Sequence, residues 1–173
     1  MVVTHTPKTE DWTLFMPLGR IEGFDAALVQ SFLDKAGLTR SQVAALVGVT
    51  RAVVGRWLSG ESSPAPENAK ALADLLGVDV LDFSGKTMNT ADIVDLRQRQ
   101  GMTIAHVADR TDMSKPQVHD IESAITPPSA ERLEMLVPIY GVDLEQIRKA
   151  WINRRIHRFG KESLKQLPQF GDK

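Results

Sequence analysis

The chain has 173 residues, of which 42% are hydrophobic and 25% charged, and its formal net charge is −1. That balance is ordinary for a soluble globular chain of one mid-sized domain or two small ones. It contains no Cys, which excludes disulfides, thiolate metal sites and a Cys nucleophile, and no apolar run reaches the ~18 residues that a membrane helix needs.

Residues 1–25 read as an N-terminal extension, and Met1 to Trp12 lacks the basic-then-apolar layout of a signal peptide. A first unit spans residues 26–83. Leu28, Phe32 and Leu33 have helical spacing that ends at Gly37, placed to close a helix C-terminus. Thr39-Arg40-Ser41-Gln42 is a capping box that opens a second helix, with Val43, Leu46 and Val47 as its expected buried face and Gly48 as its stop. Thr50 caps a third helix, with Val54, Trp57 and Leu58 inward and Gly60 at its end. Pro64 to Pro66 leads into a fourth, with Ala69, Leu72, Ala73 and Leu76 inward and Gly77 as its close, and residues 79–83 begin a short fifth.

Residues 84–89 read as a linker, and a second unit over residues 90–147 repeats the pattern. Thr90 is expected to cap a helix carrying Ile93, Val94 and Leu96 that ends at Gly101. Thr103 caps the next, with Val107 inward. Ser114-Lys115-Pro116-Gln117 is again a capping box, with the Pro in the first turn where a missing N–H costs little. Val118 and Ile121 face inward. Ser129 caps a fourth helix carrying Leu133, Leu136, Val137 and Tyr140.

The two units are copies at an offset of 64 residues without a gap. Gly37-Leu38-Thr39 falls on Gly101-Met102-Thr103, Val43-Ala44 on Val107-Ala108, and Val49-Thr50-Arg51 on Met113-Ser114-Lys115. Pro64, Glu67 and Leu72 fall on Pro128, Glu131 and Leu136, and Gly77-Val78-Asp79 on Gly141-Val142-Asp143. No segment alternates with period two, so no sheet is expected.

After Asp143 a longer helix runs out of the second unit into a tail, residues 148–173. Leu144, Ile147 and Trp151 share one stripe, and Ile152, Ile156 and Phe159 an adjacent one. That apolar face is free to dock on the first unit or to pair with a second copy of the chain. Leu164, Leu167 and Phe170 give even the end something to pack. The charge is uneven: −1 over residues 26–83, −5 over 90–147 and +6 over 148–173. A basic tail of this kind meets nucleic acid or an acidic partner, or is solvated.

The run from Gly37 through Gly48-Val49-Thr50 to Trp57-Leu58-Ser59-Gly60, continued by Glu61-Ser62-Ser63-Pro64 to Gly77-Val78, resembles the Cro/CI-type helix-turn-helix domain of phage repressors. Leu96 to Val142 carries the same pattern, so the resemblance covers about two thirds of the chain. It implies an all-α fold: two lambda-repressor-like five-helix units in tandem, followed by a basic C-terminal helix. It also implies a double-stranded DNA operator as partner, read in the major groove by the third helix of each unit.

On that resemblance Thr39 and Arg40 start the second helix where its N–H groups meet phosphate. Family members usually carry Gln where Arg40 stands, and Arg adds charge. Thr50, Arg51, Ala52, Val53 and Arg56 form the outer face of the third helix. Arg51 suits guanine, Ala52 or Val53 a thymine methyl, Arg56 a phosphate, and Ser62 in the following loop a further contact. In the second unit Thr103, Ser114, Lys115, Gln117 and His119 are the counterparts, and Gln117 suits adenine. Asp120 and Glu122 on the same helix oppose phosphate, so this unit is either a weaker reader or a copy kept for packing or dimerisation. Arg155 and Arg158 are candidates for a basic arm along the DNA backbone or in the minor groove.

The function this predicts is a cytoplasmic, sequence-specific transcription regulator, most simply a repressor of phage or mobile-element type. An antitoxin that covers a toxin, or a protein-interaction module, are the alternatives. His5, His106, His119 and His157 are far apart and form no metal cluster. No paired carboxylates, Ser/His constellation or Gly-rich phosphate loop stands out, so neither an enzyme nor a cofactor is expected.

Overall fold

The computed structural model describes residues 20–166; Leu167 and Phe170 lie outside the described residues. Within them the chain forms nine α-helices and two short 3-10 helices, with no strand. The first unit contains α1 (Ala26–Ala36), α2 (Arg40–Val47), α3 (Arg51–Leu58) and α4 (Pro66–Leu76), and its fifth element is the 3-10 turn Val80–Ser84. The second contains α5 (Ile93–Arg99), α6 (Ile104–Ala108), α7 (Lys115–Ser123), α8 (Ala130–Tyr140) and α9 (Leu144–Phe159). The 3-10 turn Lys161–Gln166 folds back on α9.

Local chemistry accounts for most boundaries. Asp25 caps α1 by accepting from the N–H groups of Ala27 and Leu28 at 2.8 and 3.2 Å. Gly37, at φ +65°, ends that helix in the left-handed region where an added Cβ is unfavourable. Thr90 does not cap the fifth helix. Its hydroxyl accepts from the Thr87 N–H at 2.9 Å and closes a preceding turn, so Asp92 becomes the cap, in a box with Asp95. Leu46, expected to be buried, is 63% exposed. On the eight-residue α2 only Val43 and Ala44 are fully buried, because α2 meets the core along a narrow stripe.

Each unit has its own core. Val29, Leu33, Val43, Val54, Trp57, Leu72 and Phe83 form the first; Leu96, Val107, Val118, Leu133, Leu136, Tyr140, Ile147 and Trp151 belong to the second. Leu81, from the first unit's 3-10 turn, is buried in the second core. Across the seam Arg99 pairs with Asp79 at 2.6 Å, and Lys86 of the linker pairs with Asp95 of the second unit at 2.7 Å. Close approach of α4 to α5 is possible because Gly101 has no side chain: a Cβ there would stand 3.0 Å from the Lys70 Cβ.

α9 runs unbroken through residue 147. Its apolar stripe docks on the second unit itself, against α5, α7 and α8. Ile147 and Trp151 are fully buried there; Ile152 and Ile156 are half-buried, and Phe159 remains 46% exposed. Most of the face expected to serve the first unit or a second copy is therefore already covered.

Candidate nucleic-acid interface

In the first unit α2 and α3 pack against each other, each opened by an exposed Thr cap. Thr39 is exposed and its hydroxyl accepts from the Gln42 N–H at 3.3 Å, while the Thr39 N–H donates to Gln42 Oε1 at 2.9 Å. The first N–H groups of α2 have no intrahelical partner, as in any helix, and Arg40 stands beside them. Thr50 caps α3 by accepting from the Val53 N–H at 3.3 Å. Val54 and Trp57, at 1% and 3% exposure, hold α3 to the core. Thr50, Arg51, Ala52 and Arg56 are exposed, and Val53 is half-buried against the core edge, so less of it faces outward than the spacing implied. Ser62 is half-buried, and its N–H donates to the Arg56 carbonyl at 3.1 Å, which folds the loop after α3 back on the helix end.

The guanidinium groups of Arg40, Arg51 and Arg56 make no hydrogen bond or ion pair with any described residue. Three uncompensated cations on two adjacent helices, with no carboxylate neutralising them, leave a surface suited to polyanion contact.

The second unit repeats the caps but not the charge. Thr103 caps the five-residue α6, its hydroxyl accepting from the His106 N–H at 3.3 Å. Ser114 caps α7, and the Ser114 N–H donates to Gln117 Oε1 at 2.7 Å. This bond engages the oxygen that a bidentate contact with adenine requires, leaving the NH2 group of Gln117. Lys115 is exposed. His119 is half-buried beside Asp120, its Nδ1 3.9 Å from the carboxylate.

Two sequence expectations are overturned here. Glu122 is not a surface charge facing phosphate. It is 4% exposed and takes the fork of Arg97, Nε at 2.7 Å and Nη2 at 3.0 Å, while the Tyr140 hydroxyl donates to it at 3.1 Å. Burial alone would lower the Arg97 pKa, but the charge and hydrogen bond of Glu122 raise it. Burial, then the adjacent Glu122 charge, drives the Tyr140 phenol well above its ordinary range.

Nor do Arg155 and Arg158 form a free basic arm. Arg155 is 9% exposed; its Nη1 donates to the Ala124 and Ile125 carbonyls at 2.8 and 2.7 Å, and it lies over the rings of Trp151 and Phe159. Arg158 Nη1 donates to the Ser123 carbonyl at 2.5 Å. Arg154 Nε donates to the Glu122 carbonyl at 3.2 Å, and the Trp151 indole to that of Ile121 at 3.0 Å. The carbonyls from Ile121 to Ile125, at the C-terminal end of α7, are therefore all capped by α9. Cations at that end also complement the helix dipole. Only the wide apolar stripe between these basic residues hinted in the sequence that α9 packs on α7.

A family model described as Helix-turn-helix matches residues 29–83, and one described as Helix-turn-helix domain matches residues 95–150. No curated protein and no solved structure matches the chain. No helix among the described residues is long and apolar enough to cross a membrane. The all-helical fold, the capped second and third helices of each unit and the two matches agree: the chain carries two helix-turn-helix domains in tandem, the first of Cro/CI type, the domain class of DNA-binding transcription regulators.

Proposed function

We propose that the protein is a sequence-specific, double-stranded DNA-binding transcription regulator of the repressor type found in phages and mobile elements, and that its first unit is the principal reader. The observation that carries this is the contrast between the units. Arg40, Arg51 and Arg56 are exposed and unpaired on α2 and α3, whereas on α7 Gln117 is tied into its own cap and Asp120 is exposed. Arg51, at the first turn of α3, reaches guanine in the major groove. Ala52 packs on a thymine methyl, and Arg40 and Arg56 hold phosphates on either side. Lys115 and the free NH2 of Gln117 add weaker contacts, so one chain with two unlike faces suits an asymmetric operator.

The test is selection of bound duplexes from a random library, followed by titration of the selected site. Arg51→Ala should weaken specific binding by about 1–3 kcal/mol and nonspecific binding less, while Arg40→Ala should weaken both and lower the salt slope by about 1. Selection that yields no common sequence, or an Arg51→Ala variant of unchanged affinity, would refute this reading.

A further inference from the structure

The short segment Arg20–Glu22, ahead of α1, crosses between the two units and touches elements next to both third helices. On the first-unit side, the Ile21 N–H donates to the Pro64 carbonyl at 3.2 Å, and the Ser63 hydroxyl donates to the Ile21 carbonyl at 3.3 Å. Ser63 and Pro64 lie in the loop that leaves α3 and directly follow the turn that Ser62 closes on Arg56. Ile21 itself is 6% exposed and joins the first core.

On the second-unit side, the Gln98 amide of α5 grips the same segment from both ends. Its Nε2 donates to the Arg20 carbonyl at 2.9 Å, and its Oε1 accepts from the Glu22 N–H at 3.3 Å. Gln98 is 4% exposed, so its buried amide is satisfied on both sides by the backbone of this segment. The Glu22 carboxylate then takes the fork of Arg154, at 2.6 and 3.1 Å. Burial would raise the Glu22 pKa, but the hydrogen bond and charge of Arg154 hold it below the ordinary value of 4.5. Arg154 also reaches Asp92, the cap of α5, and through Nε the Glu122 carbonyl at the end of α7.

We infer that residues Arg20–Glu22 form a strap that couples the two recognition helices, with Glu22 and Gln98 as positioning residues for reading a composite DNA site. The path is continuous: α3, its exit loop, the strap, Arg154 on α9, the C-terminus of α7. The links are the Ser62 N–H to the Arg56 carbonyl at the exposed end of α3, and then part-buried hydrogen bonds and an ion pair from Ser63 to Ile21 and from Glu22 through Arg154 to the Glu122 carbonyl. The Arg99–Asp79 pair also joins the units, and Lys86–Asp95 ties the linker to the second, but neither involves the loop after α3 or any residue of α7. The strap therefore transmits a shift at one reading helix to the other. Calling these helices reading helices rests on the DNA-binding function proposed above; the coupling itself does not.

Linkage makes the coupling reciprocal, so it is tested from both ends. Amide hydrogen exchange is followed in the full chain without DNA. Glu22→Gln, which removes the charge held by Arg154, should speed exchange at residues 121–125 of the second unit about fivefold. Arg154→Lys, which keeps charge but loses the fork, should speed exchange at residues 59–65 of the first unit by a similar factor. Gln98→Ala should do both. None of these residues belongs to either apolar core, so full helical circular dichroism is expected in each variant. Changes confined to the mutated residue's own unit would overturn the coupling.

A second arm uses the selected operator. Glu22→Gln should leave binding to the first unit's half-site unchanged while lowering affinity for the composite site and flattening its dependence on half-site spacing. A chain that binds no DNA but passes the exchange test would retain the strap and lose the DNA reading. Coupled exchange with unchanged preference for spacing would overturn the positioning role.

Discussion

At residue scale, the most informative comparison is between positions 64 apart. Leu33, Leu58 and Leu76 of the first unit correspond to Arg97, Glu122 and Tyr140 of the second. The first set is apolar and the second is a buried ion pair closed by a phenol, in the same place in the fold. Glu122→Ala leaves the Arg97 guanidinium buried and unpaired, and should destabilise by about 3–5 kcal/mol in denaturant unfolding. The triple change Arg97→Leu, Glu122→Leu, Tyr140→Leu, which copies the first unit, should be neutral or stabilising by about 1–4 kcal/mol. If Glu122→Ala melted with wild type, the ion pair would be of no structural consequence. This pair was legible in the repeat register, where an Arg and a Glu replace two core-type Leu together. Reading Glu122 as one charge among many on α7 obscured it, because sequence charge counts do not separate buried from exposed groups. A second residue-scale consequence concerns acid. The folded-state pKa of Glu22 is lowered, so its contribution is present above the ordinary 4.5 and is lost as pH falls through the folded value. The stability gap between wild type and Glu22→Gln should accordingly be full at neutral pH and close below pH 4.5. Thermal melts across that range check it; a gap that grew in acid would reverse the sign.

At the scale of elements, α9 is part of the second helix-turn-helix unit. It buries Ile147 and Trp151 in that unit's core and caps the carbonyls at the end of α7 through Trp151, Arg154, Arg155 and Arg158. Deleting residues 148–173 should thus remove far more helical signal than α9 itself contributes, as α7 loses its C-terminal partners and the core loses its largest side chain. Circular dichroism of the truncated chain decides this, and loss of only the deleted helix would contradict it. The helices were readable from capping boxes and C-terminal glycines because those signals are local: Thr39, Thr50, Thr103 and Ser114 all cap as expected. Thr90 failed because a competing turn with Thr87 claims its hydroxyl. The role of the α9 arginines was not legible, since the carbonyls they satisfy lie about 30 residues away and a carbonyl leaves no mark on the residue type that bears it.

At the scale of the whole molecule, pairing redistributes the effective charge. The +6 of the tail segment overstates the free cation there, because Arg154 is paired with Glu22 and Asp92 and Arg155 is buried, although Arg158 stays exposed. Both units expose acids and bases, but the exposed, unpaired cations Arg40, Arg51 and Arg56 lie on α2 and α3 of the first unit, whereas α7 of the second exposes Lys115 together with Asp120. On the proposed reading, DNA approaches the α2 and α3 face of the first unit, where these cations are free to meet phosphate. The most direct measurement of this division is the affinity of three variants for the operator selected by the wild-type chain. Arg51→Ala should cost about 1–3 kcal/mol, and Lys115→Ala and Gln117→Ala should each cost less. Larger losses from the two second-unit substitutions than from Arg51→Ala would contradict the account and make the acidic unit the principal reader.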